Sequence, residues 1–143
     1  MSFAIDSSCA IASLSIWHPA NENTMELIEK LKIEDPPLIL PAPVLIETYS
    51  VLTRMPQAYK AMAREAFEMI RVSFSQANVI ALPADAFLEE IARAAALNIS
   101  GGAIYDAIIA RCARLGGADK LLTLNPSHFN RFAGADLEII VPK

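Results

Sequence analysis

Five short apolar runs, each parted from the next by a stretch of helical periodicity, constrain this chain more than any other feature. Phe3-Ala-Ile5, Leu38-Ile-Leu40, Asn78–Leu82, Lys120–Thr123 and Leu137–Val141 are strand-sized and rich in Ile, Leu and Val. Between them the sequence predicts helices over Cys9–Trp17, Asn23–Ile33, Val44–Arg54, Ala58–Val72 and Asp85–Leu97. Another passes through Asp106 to a stop at Gly116-Gly117, and Pro126–Phe132 reads as a short helical turn. Apolar strands alternating with helices give an α/β fold, a short parallel sheet covered by helices on both faces. The 143 residues are read as one domain, 1–143, long enough to bury a core without staples.

Ligands of such sheets bind beyond the carboxyl ends of the strands. Asp6 stands at the end of the first strand and Asn125 just past the end of the fourth, so both fall on that edge. Asp106 is the lone acid in Asn98-Ile-Ser-Gly-Gly-Ala-Ile-Tyr-Asp-Ala-Ile-Ile-Ala-Arg-Cys112, a mostly apolar helix for which Ser100 is the expected N-cap. A carboxylate on such a face costs several kcal/mol, roughly, unless it is satisfied. Either it stays protonated or a cation sits against it. Glu47, between Val44 and Val51, is a third acid apart from the ordinary solvated ones. Taken singly, Asp6 is also read as a helix N-cap and Glu47 as a solvated helix residue; only tertiary folding can unite the three.

The ordered set of motifs resembles the PIN-domain family, in particular its VapC-like toxins. The carriers are Phe3-Ala-Ile-Asp6-Ser-Ser8, Pro43-Val-Leu-Ile-Glu47-Thr-Tyr-Ser-Val-Leu-Thr53, Gly101-Gly-Ala-Ile-Tyr-Asp106-Ala-Ile-Ile-Ala110 and Leu122-Thr-Leu-Asn-Pro-Ser-His-Phe129, together spanning nearly the whole chain. The resemblance implies a PIN fold and a metal-dependent endoribonuclease leaving 5′-phosphate and 3′-hydroxyl ends. Its metal-holding acids correspond to Asp6, Glu47 and Asp106. Asn125 occupies the place of a fourth Asp carried by many members and offers an uncharged carbonyl instead. Ser8 and Thr123 match the family's supporting hydroxyls. An antitoxin protein and a homodimer are the partners implied.

An all-oxygen donor set suits Mg²⁺, with Mn²⁺ as substitute, and not Zn²⁺. Asp119 precedes its strand and is expected on the opposite edge. Arg54, Lys60, Arg64 and Arg71 are the candidate RNA-binding residues, the last three read as one helix face; a solvated face is the plainer reading. Met55, Met62, Phe67, Met69 and Phe74 are read as core or as a groove for an antitoxin helix or second subunit. His128 and His18 are read as surface or loop residues, and Tyr105 as packed, with base stacking as its functional alternative.

The net charge of −4 argues against wholesale nonspecific nucleic-acid binding without excluding a local basic strip. No apolar run approaches the ~18–20 residues of a membrane span, and Met1-Ser-Phe-Ala-Ile-Asp6 has no signal-peptide character, so a cytoplasmic protein is expected, with no membrane partner. Cys9 and Cys112 are expected as buried free thiols. The rival readings are a catalytically inactive PIN module binding RNA or protein, and a phosphatase using Asp6 as nucleophile. Ser8, standing where haloacid-dehalogenase-like phosphatases carry a second Asp, opposes the latter. The glycine pairs match no nucleotide-binding fingerprint.

Overall fold

In the computed structural model, which describes residues 1–143, the expected strands form one five-stranded sheet in which every pairing is parallel. The strands are β1 (Phe3–Ile5), β2 (Leu38–Pro41), β3 (Asn78–Ile80), β4 (Lys120–Leu122) and β5 (Glu138–Ile140), in the spatial order β3-β2-β1-β4-β5. The helices are α1 (Ser7–Leu14), α2 (Asn21–Glu34), α3 (Ala42–Arg54), α4 (Ala63–Ser73), α5 (Ala86–Ala96), α6 (Ala103–Leu115) and α7 (Pro126–Phe129), the last running into a 3₁₀ turn at Asn130–Phe132. The chain moves outward from β1 through β2 to β3, then crosses back to β4 on the other side of β1. Right-handed crossovers in opposite directions set α1 to α4 on one face and α5 to α7 on the other. The order reverses between β1 and β4, and that switch point opens a crevice at the carboxyl edge.

The central strands are apolar because both their faces are covered. Phe3, Ala4, Ile5, Ile39, Leu40, Leu121 and Leu122 have no solvent exposure, and they anchor a core that reaches Ile28, Leu31, Val44, Ile109 and Phe129. Cys9 and Cys112 are buried free thiols, as expected. No helix is long and apolar enough to cross a membrane.

Several boundaries differ from expectation for identifiable reasons. Helix α1 stops at Leu14, short of Trp17, because the Asn21 side-chain amide donates to the Ala12 and Ser13 carbonyls and caps it. Ser100 is not the N-cap of α6. The Asn98–Gly102 stretch ends α5 instead: Asn98 adopts φ 58°, the Ile99 N–H donates to the Ala94 carbonyl, and α6 begins only at Ala103 after Gly101 at φ 62°. Gly117, at φ 87°, closes α6 in the same manner, with the Ala118 N–H donating to the Ala113 carbonyl. Helix α4 starts at Ala63, not Ala58, since the Glu65 carboxylate accepts from the Met62 N–H and fixes its first turn. The segment before it follows tertiary contacts: Tyr59 stacks near Trp17, and the Ala61 N–H donates to the Leu52 carbonyl.

Candidate metal centre and nucleic-acid cleft

The crevice at the switch point is built around Asp6. The strand ends at Ile5, the Asp6 N–H donates to the Leu122 carbonyl, and Asp6 turns the chain into α1 as its N-cap. Its Oδ1 accepts from Ser8 Oγ at 2.7 Å and from the Cys9 N–H at 2.9 Å; its Oδ2 accepts from Thr123 Oγ1 at 2.6 Å. Both supporting hydroxyls expected from the sequence thus fix this carboxylate. They also hold the β4 edge, because Thr123 Oγ1 accepts from the Asn125 N–H and Ser8 Oγ from the Leu124 N–H. Asp6 is therefore both a cap and a site residue. Burial pushes its pKa up against these hydrogen bonds, which lower it, and the Glu47 charge adds to the rise.

Glu47 reaches the crevice from the middle of α3, which Pro43 helps to start, and Asp106 from the first turn of α6. Asp6, Glu47, Asp106 and Asn125 line one cleft of about 220 Å³, joined by Ser7, Ser8 and His128. Burial raises the Asp106 pKa; His128 opposes this, while Glu47 and Asp6 add to it and Arg131 lowers it. His128 Nδ1 lies 3.9 Å from Asp106 Oδ2 and pairs with that acid only in its protonated form. The acids feel one another's charge. They do not form a closed cage, since no three His, Cys, Asp or Glu side chains are grouped tightly enough to grip an ion as placed. The donors nonetheless fit a hard cation: all are oxygens, Asp6 is nearly fully buried, and the buried Ser7 Oγ on the same wall has no hydrogen-bond partner.

Asp119 lies on the opposite edge as expected, where it meets the N-terminal amine and Lys120. A larger concavity of about 740 Å³ lies along α2 with Glu22, Glu26 and Glu29; it is shallow and holds none of the buried acids.

The basic set is not one wall. Arg54 borders a second cleft of about 610 Å³, which shares Glu47, Asp106 and His128 with the acid crevice. Lys60 sits in the exposed segment before α4, outside the helix face assigned to it. Arg64 and Arg71 lie on α4, where both reach the single Glu68 carboxylate. Neither they nor Lys60 line either cleft. The apolar side chains of the segment divide: Phe74 packs against the core, Met55 and Met69 are half-buried, and Met62 and Phe67 are exposed, Phe67 beneath the Arg64 guanidinium. Tyr105 is not packed. It is 67% exposed and faces the second cleft. Arg131, three residues beyond His128, lines that cleft too; its one sequence signal is that helical spacing from a histidine already beside the fourth strand.

Comparison with known proteins agrees with this fold. The PIN domain family profile matches residues 3–135. Ribonuclease VapC40 of Mycobacterium tuberculosis (strain CDC 1551 / Oshkosh) is 32% identical over 120 residues, 84% of each chain. Among solved structures, VapBC2 from Rickettsia felis, bound to a promoter DNA fragment, superposes with TM-score 0.67 at 17% identity over 99% of this chain and 98% of that one. Mycobacterium tuberculosis VapC20, described as a sarcin-ricin loop cleaving toxin, gives TM-score 0.68 at 15% identity over 90% and 94%. With its sheet, its motif order and most of its length accounted for, the chain belongs to the PIN-domain family.

Proposed function

We propose that this chain is a divalent-metal-dependent endoribonuclease, the toxin of a toxin–antitoxin pair, and that Asp6, Glu47 and Asp106 hold its Mg²⁺ or Mn²⁺ with help from Asn125. The observation that carries this is the meeting of three acids from distant parts of the chain in one cleft at the sheet's switch point. Similarity to a ribonuclease over most of the length supports the substrate class.

When bound, a divalent ion supplies Lewis-acid activation of water and neutralisation of charge on the phosphodiester. The protein's own part is positional. Ser8 and Thr123 orient both oxygens of Asp6 toward one rotamer before any ligand arrives. Glu47 and Asp106 complete the negative field, and Asn125 contributes a carbonyl at the rim. Burial first, and then these neighbouring charges, raise the pKa of Asp6 and Asp106, a cost that a cation offsets.

An antitoxin partner belongs to the same reading. The solved relatives include VapBC complexes, and α3 and α4 leave Ile46, Met62, Phe67 and Val72 exposed for a protein surface to cover. Homodimer formation and a cytoplasmic location complete it.

The test is cleavage of end-labelled total RNA by purified protein with Mg²⁺ or Mn²⁺ against EDTA. Discrete metal-dependent products carry the reading. Folded, partner-free protein that binds Mn²⁺ and cuts nothing would transfer it to a non-catalytic binding module.

A further inference from the structure

The arginines of this chain divide sharply. Arg64 and Arg71 pair with Glu68, Arg93 and Arg111 with the buried Glu90, and Arg114 with Asp136. The remaining two, Arg54 and Arg131, have no acid in reach of an ion pair. Both line the same cleft beside the acid crevice, Arg54 from the end of α3 and Arg131 from the 3₁₀ turn. The Arg54 guanidinium donates only to Ser50 Oγ one turn back in its own helix. Tyr105, 67% exposed and adjacent in sequence to Asp106, lines the same cleft.

An exposed aromatic sharing a cleft with two guanidinium groups that make no ion pair, next to carboxylates that repel phosphate, has a chemical counterpart in a nucleotide. Arginine takes phosphate oxygens in bidentate fashion, and a tyrosine ring offers one face to a base. The cleft volume of about 610 Å³ falls in the ~300–1,000 Å³ range of small-ligand sites. That is room for a single splayed nucleotide. A base that stacks on a side chain must first leave its own stack, which costs least where it is unpaired.

We infer that Tyr105, Arg54 and Arg131 form a subsite for one unpaired nucleotide flanking the bond to be cut. The inference rests on the ribonuclease reading and adds residues and substrate form to it. Arg131 and Arg54 are phosphate-binding residues, and Tyr105 is the stacking platform.

The test separates binding from cutting. In an Asp106→Asn background with Mg²⁺, a short single-stranded oligoribonucleotide carrying 2-aminopurine reports stacking by fluorescence quenching and affinity by anisotropy. Quenching is expected with the single strand and absent with the same sequence held in duplex. Tyr105→Leu should abolish the quenching and weaken binding about tenfold, and Tyr105→Phe should restore both. Arg131→Ala and Arg54→Ala should each weaken binding and reduce its salt slope by about one. In the catalytically intact protein the same substitutions should raise KM more than they lower kcat. Unchanged quenching and affinity in Tyr105→Leu, or duplex bound as well as single strand, overturns the subsite. Absence of cleavage by the intact protein overturns the ribonuclease reading instead, and the binding measurements then still decide the subsite.

Discussion

Thr123 Oγ1 donates to Asp6 Oδ2 at 2.6 Å across 117 residues of sequence, tying the end of β4 to the end of β1 at the point where the strand order reverses. The same hydroxyl oxygen accepts from the Asn125 N–H. One side chain therefore sets the rotamer of the buried acid and the path of the loop that carries Asn125.

Thr123→Val removes both interactions without changing volume much. Hydrogen bonds to charged groups contribute about 1.5–3 kcal/mol, so a loss of that order is expected in urea denaturation. The Asp6 pKa, already raised, should rise further because a bond that lowers it is gone. Cleavage should fall by roughly 10–100-fold and its acid limb should move to higher pH. An unshifted pH profile would mean that Thr123 does not govern Asp6.

The buried Asp6 and the half-buried Asp106 should respond oppositely to neutralisation. Asp106 has no hydrogen-bond network to lose, and its raised pKa reflects burial first and then neighbouring charge, so Asp106→Asn should raise Tm in metal-free buffer. Asp6 accepts three hydrogen bonds, and an amide at that position turns an N–H toward a donor. Asp6→Asn should lower stability by about 1–3 kcal/mol. Asp6→Ala also removes the N-cap of α1 and should be at least as damaging. Thermal melts of the variants in EDTA check the ordering.

Stability against pH follows from the same two groups. Burial raises the pKa of Asp6 and Asp106 in the folded state, which therefore holds their protons longer than the unfolded chain does. Their contribution is complete below the unfolded pKa and is lost as pH rises through the folded values. Mg²⁺ or Mn²⁺ should restore it above that range, giving a metal-induced rise in Tm that grows with pH. Asp35, Asp119 and Asp136 are lowered by Lys120, the N-terminal amine and Arg114 respectively, and their contribution runs the other way, fading in acid. A metal effect on Tm independent of pH would contradict the assignment of the raised acids to the site.

Gly116 is a packing constraint. A Cβ there would lie 2.5 Å from Ile39 Cγ2 and 2.9 Å from Ile80 Cγ1, because the end of α6 presses onto β2 and β3. Gly116→Ala should cost about 1–3 kcal/mol by overpacking, read as a lower urea midpoint with an unchanged m-value.

The sheet was legible because β1, β2 and β4 are buried on both faces and so read as unbroken apolar runs. Asp6 was legible from its place at a strand's carboxyl end, Asp106 as the lone acid of a mostly apolar helix and Glu47 as an acid between Val44 and Val51, and the ordered motif set joined the three. Tertiary contacts hid the rest. Lys60 reads as helical, yet Tyr59 on Trp17 and the Met62–Glu65 bond hold it outside α4. Ser100 reads as a cap, yet the left-handed turn at Asn98 makes its segment a helix stop. Arg64 and Arg71 carry the right charge, but only the folded chain reveals that Glu68 takes them and that Arg131 is the arginine left beside the acids. Charge type is written in sequence; charge compensation is decided in space.

The most direct measurement compares RNA cleavage by the parent protein and Asp106→Asn under saturating Mg²⁺ or Mn²⁺, with melting curves taken on the same samples. The account predicts a variant folded at least as stably as the parent whose cleavage falls by more than the roughly 10–100-fold typical of outer partners of a metal. Parent-like cleavage by the stably folded variant would contradict it, and the carboxylate cleft would cease to be the place where this chain does its chemistry.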